Sequence, residues 1–306
     1  MNAFMYGLRT IAVASVTGVL LCASAYAEDP ARSVNEHRPV DPAVQVEVNV
    51  TAGRVTVVGW EKAEIEVTGS LGVEVERLEV TGDGPHAYVR AVTKKWGLHW
   101  GGRETSLVIK VPKGGSLAAH MVSADLRVSG IAGSQELQTV SGDIESNASS
   151  EARLRSVSGN VHLEAAASSR SVQVSTVSGD VTLGGTAAGE LSFQSVSGDG
   201  HLRGGAFQRV YLKTVSGDLS ATLGLSPDGR FEAETVSGDV SVHFPGGLPA
   251  AEYSLSALSG ELSTCDGRHG AREGFGPGTR LSLREGAATG RVRIDSKSGD
   301  IDICGR

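Results

Sequence analysis

The sequence has 306 residues, of which 28 are Lys or Arg and 35 are Asp or Glu, so its formal net charge is −7. This acidic balance, without a basic stripe, disfavours nucleic acid or an anionic membrane surface as a partner. No segment after residue 27 has the apolar period of an amphipathic helix, so the sequence predicts an all-β protein.

Residues 1–27 have the features of a secretory signal peptide. Arg9 is their only charge, an apolar run follows it, and Ala25-Tyr26-Ala27 has the small-residue pattern of a cleavage site. Cys22 follows Leu21 where a lipoprotein signal needs a small residue, which disfavours lipidation. We therefore expect an exported protein of the periplasm or cell surface, with no transmembrane segment left after cleavage.

Two regions precede the repeats. Residues 28–43 contain three prolines among charges and predict a flexible leader. Residues 44–130 alternate apolar and polar side chains in short runs joined by glycine turns, which predicts an N-terminal β region. Two interpretations stay open, namely degenerate early rungs of the repeat and an antiparallel cap over the end of a solenoid.

One short aromatic stripe lies inside this N-terminal region. Alternation along residues 95–102 places Trp96, Leu98 and Trp100 on one face of a strand. Paired indoles stack on sugar rings or anchor protein partners, whereas the alternative is a sealing contact in the core. We expect this stripe to be the candidate binding surface.

Residues 131–306 contain a repeated hexapeptide, for example Thr176-Val177-Ser178-Gly179-Asp180-Val181. The period of about 20 residues is too short for a unit that folds alone, so the units must stack as rungs of a β-solenoid. Glycine followed by Asp, Asn or Glu suits a tight corner at each unit. The predicted corners are Gly142-Asp143, Gly159-Asn160, Gly179-Asp180, Gly198-Asp199, Gly217-Asp218, Gly238-Asp239, Gly260-Glu261 and Gly299-Asp300.

Apolar columns on both sides of the glycine predict two strands in each rung. The valine two positions before the glycine is expected to point inward. The Thr or Ser three positions before it and the Ser directly before it are then expected to face solvent. Such hydroxyls suit either a hydrogen-bonded ladder, which we favour, or a flat array that orders water or meets a polysaccharide.

The stacked carboxylates of the corners repel one another by about 1 kcal/mol for each pair in water, at a rung spacing of about 4.8 Å. We expect hydrogen bonds at the corner to offset this cost. Calcium is the alternative, but the nonapeptide pattern of calcium-loaded β-rolls is absent and Asn160 interrupts the charge column.

Cys265 and Cys304 each lie five residues after a motif glycine and so occupy one column. A disulfide requires adjacent rungs. In that case the step of 39 residues from Gly260 to Gly299 contains one rung and an excursion, that is, an extra segment that leaves the stack. Two reduced thiols separated by a further turn are the alternative.

Several segments together resemble the bacterial putative-adhesin β-strand-repeat family. They are the signal, GRVTVVGW at Gly53–Trp60, VIKVP at Val108–Pro112 and the serial TVSGDV-type units. The resemblance extends from about Val44 to Cys304. It implies an envelope-located β-solenoid of unknown function and offers no catalytic residues to carry over.

The function expected from these patterns is that of a non-enzymatic, adhesin-like binding or scaffolding module for a cell-surface glycan or an envelope protein. We expect no cofactor, since His162 and His201 lie two rungs apart and lack the spacing of metal ligands. The alternatives are a carbohydrate-active β-helix enzyme, which needs long loops around a cleft, and a self-associating structural element.

Overall fold

The computed structural model describes residues 32–94, 104–185, 189–272 and 277–305. Every regular element in these ranges is a β-strand, so the all-β prediction is confirmed. In chain order the strands are β1 (Arg32–Pro39), β2 (Gln45–Trp60), β3 (Glu64–Leu71), β4 (Val75–Asp83), β5 (His86–Thr93), β6 (Ser106–Pro112), β7 (Ser116–Ser129), β8 (Gln135–Ser141), β9 (Ile144–Ala148), β10 (Glu151–Ser158), β11 (Val161–Ala165), β12 (Ser171–Ser178), β13 (Val181–Gly185), β14 (Glu190–Ser197), β15 (Gly200–Ser216), β16 (Leu219–Ser237), β17 (Val240–Phe244), β18 (Ala251–Ser259), β19 (Leu262–Thr264), β20 (Ala271–Arg272), β21 (Thr279–Arg284), β22 (Gly290–Ser298) and β23 (Ile301–Gly305).

The motif region is a coil of parallel rungs, each with one strand before the corner and one after it. The strands before the corner form the front sheet, in which Leu154 pairs with Val174 and Val174 with Phe193. The strands after the corner form the back sheet, in which Val161 pairs with Val181. The strands β15 and β16 start in the back sheet of one rung and end in the front sheet of the next.

The core fills the space between the two sheets. In the front sheet, the residues seven and five positions before the glycine are buried, and in the back sheet, those two and four positions after it. The largest fully buried side chains in the described ranges include Tyr253, Phe193, Phe207, Phe231 and Phe244. Stacked apolar columns of this kind let each short rung bury its inner surface against its neighbours.

The orientation predicted for the motif itself was wrong by one residue. The valine before the corner points outward, since Val177 is 47% exposed, while the preceding Thr176 is 5% exposed. Side chains of a strand alternate between faces. Because positions seven and five before the glycine are buried, position three must also be buried and position two must face solvent.

Each corner depends on the missing side chain of glycine. Gly179 has φ +140°, and a Cβ at this position would lie 2.3 Å from the carbonyl oxygen of Gly159 in the neighbouring rung. A larger residue would therefore strain both the backbone angle and the stacking of the rungs.

The N-terminal region combines parallel rungs with antiparallel strands. β2 pairs in parallel with β7 along most of its length, and with β5 and β6 on its other edge. Beyond these, β4 pairs antiparallel with β5, β3 with β6, and β1 with β3. The parallel pairing of β2 and β7 fits the interpretation as degenerate rungs, and the antiparallel pairing of β1, β3 and β4 fits the interpretation as a cap.

The predicted flexible leader requires a correction for residues 32–39. These residues form β1, which pairs with β3 from Arg32 opposite Leu71 to Pro39 opposite Glu64. The strand tolerates Pro39 because proline is accepted at the end of an edge strand, where no ladder hydrogen bond is lost.

The C-terminal rungs do not stack in sequence order. The last rung, β22 and β23, lies between the rung of β16 and β17 and the rung of β18 and β19. The outer edge of β18 is covered by β21, which runs antiparallel to it. A disulfide joins Cys265 and Cys304 with their Cα atoms 5.0 Å apart, and ties the end of β19 to β23.

Candidate functional site

The aromatic stripe predicted from the sequence lies outside the described residues. Trp96, Leu98 and Trp100 all fall between residues 95 and 103. Their role as a binding surface stays a prediction, and the surfaces that follow belong to the part of the chain that the structure describes.

The acidic side chains of the corners form a hydrogen-bonded ladder, which we call the Asx ladder. The Oδ1 atom of one residue accepts a hydrogen bond from the backbone N–H of the equivalent residue in the next rung, as from Asp199 to Asp180 at 3.0 Å and from Asp218 to Asp199 at 2.9 Å. In spatial order the ladder contains Asp125, Asp143, Asn160, Asp180, Asp199, Asp218, Asp239, Asp300 and Glu261.

The ladder explains why both Asp and Asn occur in this column. Asn160 donates its backbone N–H to Asp143 at 2.8 Å, and its Oδ1 atom accepts from Asp180 at 3.0 Å. The position requires an acceptor oxygen on a short side chain, and a charge is not essential. Hydrogen bonds from backbone N–H groups to a carboxylate offset part of the repulsion between stacked charges.

The hydroxyls three residues before the glycine form a buried column. The exposures of its members range from 1% for Thr214 to 6% for Ser195 and Ser296. Ser156 donates its hydroxyl to the carbonyl oxygen of Gly159 at 3.1 Å. The other members have a buried hydroxyl oxygen with no hydrogen-bond partner among the residues that the structure describes, namely Thr139, Thr176, Ser195, Thr214, Thr235 and Ser296. A solvent-facing Thr-x-Ser array is therefore excluded, because only the Ser beside the glycine is exposed.

The motif valines form an exposed apolar line along the front sheet, which we call the valine stripe. Its side chains are 41% to 54% exposed and lie in one column at the edge of the sheet beside the corner. Lys297 occupies the same position in the rung between Val236 and Leu258. The stripe consists of Val122, Val140, Val157, Val177, Val196, Val215, Val236 and Leu258.

The outer face of the back sheet is polar. His162 pairs with Thr182 and Thr182 with His201, so the two histidines lie two rungs apart. An open depression of about 690 Å³ follows this face beside the Asx ladder, and Arg54, Arg127 and the two histidines line part of it. The depression combines hydroxyl, imidazole, guanidinium and carboxylate groups on one surface.

Metal ligation was the other chemistry considered for this surface. His162 lies 3.7 Å from Glu164 of its own strand. Within the described ranges, no group of three or more His, Cys, Asp or Glu side chains is placed to hold a metal ion. Calcium binding by the corner carboxylates stays an untested alternative.

A separate charge cluster lies in the C-terminal excursion. Arg268 contacts Asp266 and lies 2.7 Å from Glu285. Hydrogen bonds from Arg268 and then Thr264 lower the pKa of Asp266 below its usual range, and the same acidic partners raise the pKa of Arg268. These two shifts keep Asp266 and Arg268 charged around neutral pH, and burial raises the pKa of the nearby Tyr253 phenol, which stays neutral.

The family model described as Toastrack DUF4097 matches residues 42–304. The chain belongs to this family. The Toastrack match spans the N-terminal β region and the motif rungs, and the fold is accordingly an all-β, solenoid-like one.

Solved structures similar to this Toastrack chain are distant in sequence. A putative adhesin from Bacteroides fragilis is 12% identical, covers 89% of this chain and 97% of its own, and has a TM-score of 0.45. A putative adhesin from Parabacteroides distasonis is 12% identical, covers 89% of this chain and 98% of its own, and has a TM-score of 0.46. A putative lipid binding protein from the same organism is 11% identical, covers 89% and 96%, and has a TM-score of 0.37. Identities this low say nothing about function.

No curated protein matches the Toastrack chain. In the part of the chain that the structure describes, no helix is long and apolar enough to cross a membrane.

Sequence reasoning missed the valine stripe of this Toastrack chain, although the signal was present. The hexapeptide places Val177 between two polar residues, Thr176 and Ser178, and an isolated valine between hydroxyls resembles an inward residue. The strand period counted from the buried Val172 and Val174 gives the opposite and correct orientation.

Proposed function

We propose that this protein is a non-enzymatic, adhesin-like binding or scaffolding module of the bacterial envelope. Its ligand face is the outer face of the back sheet. The observation that carries the proposal is the polar column three residues after each glycine, which runs along this face from rung to rung. Its members are Glu145, His162, Thr182, His201, Ser220, Ser241, Asp302 and Ser263.

The spacing of this column suits an extended partner. Equivalent side chains in neighbouring rungs lie about 4.8 Å apart, so an elongated polar ligand meets a new donor or acceptor at each rung. Individually weak contacts in series produce high overall affinity. A hydroxyl-rich glycan strand of the cell surface, or an extended envelope protein segment, has the matching chemistry.

Within this face, the ligand is expected to bind most firmly at the depression. Arg54 and Arg127 provide donors, while Asp125, Asp143 and Asp180 of the Asx ladder form an acidic rim beside them. An acidic rim disfavours a polyanionic ligand and favours a neutral one with many hydroxyls. The ligand of this proposal is therefore a neutral or weakly charged polar chain.

The alternative of a carbohydrate-active enzyme needs a pair of carboxyl groups free to exchange protons with a substrate. The Asx ladder uses Oδ1 of its members as acceptors for backbone N–H groups, a structural role in each corner. This favours binding over catalysis. The predicted signal peptide places the module outside the cytoplasm.

Binding of the purified protein to a glycan and cell-wall-fragment array, with and without calcium, tests the proposal. A triple variant, His162→Ala, Thr182→Ala and His201→Ala, is expected to lose at least tenfold in affinity. A matched control with three substitutions in β4 and directly before it (Glu74→Ala, Glu76→Ala and Thr81→Ala) is expected to bind like the parent protein. A Trp96→Ala/Trp100→Ala variant tests the predicted aromatic stripe in the same assay.

Three outcomes contradict parts of the proposal. Silence on every fragment by a folded protein removes the glycan ligand and shifts the role to a protein partner. Loss of binding only in the tryptophan variant moves the site to residues 95–102. Release of soluble sugar from a fragment favours the enzyme.

A further inference from the structure

The valine stripe is an apolar surface of unusual length for a soluble protein. With each residue 41% to 54% exposed, the eight residues of the stripe present on the order of 70 Å² each and about 560 Å² in total. The largest apolar patch on a typical soluble monomer measures about 300 to 600 Å² and is often functional, and the stripe lies at the upper end of this range. The stripe therefore has the character of an interface.

Two columns of polar side chains run beside the stripe on the same outer face of the front sheet. The near column lies two residues before the stripe, and the far column two residues earlier still. In spatial order the near column is His120, Gln138, Arg155, Ser175, Gln194, Lys213, Glu234, Asp295 and Ser256. The far column is Ala118, Glu136, Arg153, Gln173, Ser192, Tyr211, Glu232, Arg293 and Ser254.

The charges of these columns are distributed unevenly along the stack. Arg153 and Arg155 lie two rungs to one side of the rung of Val196, and Glu232 and Glu234 lie two rungs to the other side. The two basic residues and the two acidic residues are therefore placed symmetrically about one rung.

We propose that this face binds a second copy of the same chain. The two front sheets pack face to face and antiparallel, with the two-fold axis at Val196. A two-fold axis that lies in the interface and runs parallel to the strands keeps the near column opposite the near column and reverses the order of the rungs. Val196 then meets Val196 of the second copy, and the two valine stripes overlap except where Lys297 faces Val140 of the second copy.

The reversed order brings opposite charges together at two pairs of rungs. Arg155 faces Glu234 of the second copy, Arg153 faces Glu232, and Glu136 faces Arg293. Each pair occurs twice because of the two-fold axis. Arg155 makes no hydrogen bond or ion pair with any residue that the structure describes. Glu234 already pairs with Lys213 of its own chain at 2.8 Å, so Arg155 of the second copy adds a second cation to this carboxylate.

A shift of one rung in either direction brings like charges together. One shift places Arg153 opposite Arg293, and the other places Glu136 opposite Glu232. Like charges that face each other across an interface select against a register. A parallel arrangement places the near column against the small Ser side chains beside the corner and forms none of these ion pairs.

The area of the face matches what a stable dimer requires. The rungs from β7 to β18 extend roughly 40 Å, and the three columns span about 20 Å, which gives on the order of 800 Å² for each copy. The apolar stripe follows one long side of this area, and the near and far columns supply its polar and charged part. The outer faces of both back sheets stay exposed on opposite sides of the dimer, which makes it bivalent for an extended ligand.

Sedimentation velocity of the purified protein from 1 to 100 µM tests the proposal together with charge reversal. The parent chain is expected to sediment as a dimer. Arg153→Glu/Arg155→Glu and Glu232→Arg/Glu234→Arg are each expected to weaken the dimer at least tenfold. A mixture of these two variants is expected to restore it, because their charges complement each other in the antiparallel arrangement. Circular dichroism verifies that each variant is folded.

Cysteine cross-linking tests the position of the axis. In a Cys22→Ser background, Val196→Cys is expected to form a disulfide-linked dimer under mild oxidation, since this residue meets its own copy. Ser220→Cys, on the outer face of the back sheet, is the matched control and is expected to stay uncross-linked.

Several results overturn the proposal. A parent chain that is monomeric at 100 µM excludes the dimer and leaves the stripe to a partner of another kind. A dimer that ignores both charge reversals, or that cross-links through Ser220→Cys and not through Val196→Cys, uses another surface. Failure of the mixture to reassociate excludes the antiparallel register. None of these results bears on ligand binding by the back sheet, so the two proposals fail independently.

Discussion

One side-chain atom per rung, the Oδ1 of the corner Asx residue, holds successive corners together. Its hydrogen bonds to the backbone N–H of the next rung measure 2.8 to 3.2 Å along the ladder. Backbone hydrogen bonds between rungs flank this residue, from the N–H of Gly179 to the carbonyl oxygen of Ser197 at 3.3 Å and from that of Val181 to Asp199 at 2.9 Å, but the Asx N–H between them bonds to a side chain. The side chain replaces the missing acceptor, as an Asx residue does at the start of a helix.

Removal of one such acceptor is expected to destabilise the fold by about 1 kcal/mol, because Asp218 loses the partner of its N–H. We expect this loss for Asp199→Ala in urea unfolding. Asp199→Asn keeps the acceptor and removes one charge from the stack, so its stability is expected to equal or exceed that of the parent. Equal loss in both variants would show that charge, rather than the acceptor, matters.

The buried hydroxyl column lowers the free energy of unfolding, because most of its hydroxyls lack a hydrogen-bond partner among the described residues. Thr214 is 1% exposed and its hydroxyl has no partner among the described residues. Because a buried unsatisfied hydroxyl costs about 1 kcal/mol or more, Thr214→Val is expected to stabilise the protein by about 1 kcal/mol in thermal unfolding. Ser156→Ala loses a hydrogen bond to Gly159 and is expected to destabilise it. A destabilised Thr214→Val variant would indicate that a buried water satisfies the hydroxyl.

At the scale of the elements, the last rung of the chain is held in two ways: it lies between two other rungs, and a disulfide bonds it to one of them. β23 lies between β17 and β19, and the disulfide closes a separation of 39 residues between Cys265 and Cys304. Cross-linking a loop of this length removes entropy from the unfolded chain and contributes roughly 2 to 4 kcal/mol. The terminal rungs need this support because β19 contains only three residues.

Replacement of both cysteines by alanine is therefore expected to loosen one end of the molecule. Hydrogen exchange should accelerate in β18 to β23 and stay unchanged in β8 to β13, because each rung contacts only its neighbours. A reducing agent should reproduce the effect in the parent chain and add nothing in the variant. Uniform acceleration along the chain would argue for a single cooperative unit.

The charge cluster beside this disulfide makes the same end sensitive to acid. The pKa of Asp266 is lowered in the folded state, chiefly by the hydrogen bond from Arg268. A lowered folded pKa contributes stability above the unfolded value of about 3.9, and the contribution is lost as the pH falls below it. Asp266→Asn is therefore expected to lower the thermal midpoint at pH 7 and to differ less from the parent at pH 3. An equal difference at both pH values would contradict this linkage.

At the scale of the whole molecule, a solenoid must protect its two ends. β21 covers the edge of β18 at one end, and β1 covers the edge of β3 at the other. β1 carries Arg32, Glu36 and Arg38, and charged residues on an edge strand prevent pairing with another chain. This design disfavours end-to-end assembly, and it leaves the lateral front face as the surface for self-association.

Deletion of residues 28–39 is expected to expose the edge of β3 and to produce association beyond the size of the parent protein. Light scattering over a range of concentrations measures this effect. Deletion of residues 28–31 alone is the control, since β1 begins at Arg32. A deletion variant of parental size would show that β1 is not needed as a cover.

Much of the fold was accessible from the sequence because its signals are local. The alternation around Leu154, Val161 and Val181 predicted strands with a buried face, and glycine with Asx predicted the corners. The direction of Val177 was misjudged by a single residue of register, and such a slip moves a side chain to the opposite face. This slip affected the predicted surfaces most, because the front face exposes a column of valines where a column of threonine and serine hydroxyls was predicted.

The sequence by itself determined the all-β class, the repeat and the chemistry of each corner, since these depend on residues within one hexapeptide and on the two-residue period of a strand. Only the tertiary structure decided the order of the last rungs, with the rung of Gly299 between those of Gly238 and Gly260. The physical reason is that every motif copy presents nearly the same edge to its neighbours. The choice of neighbour therefore depends on the path of the excursion after Cys265, which no local pattern encodes.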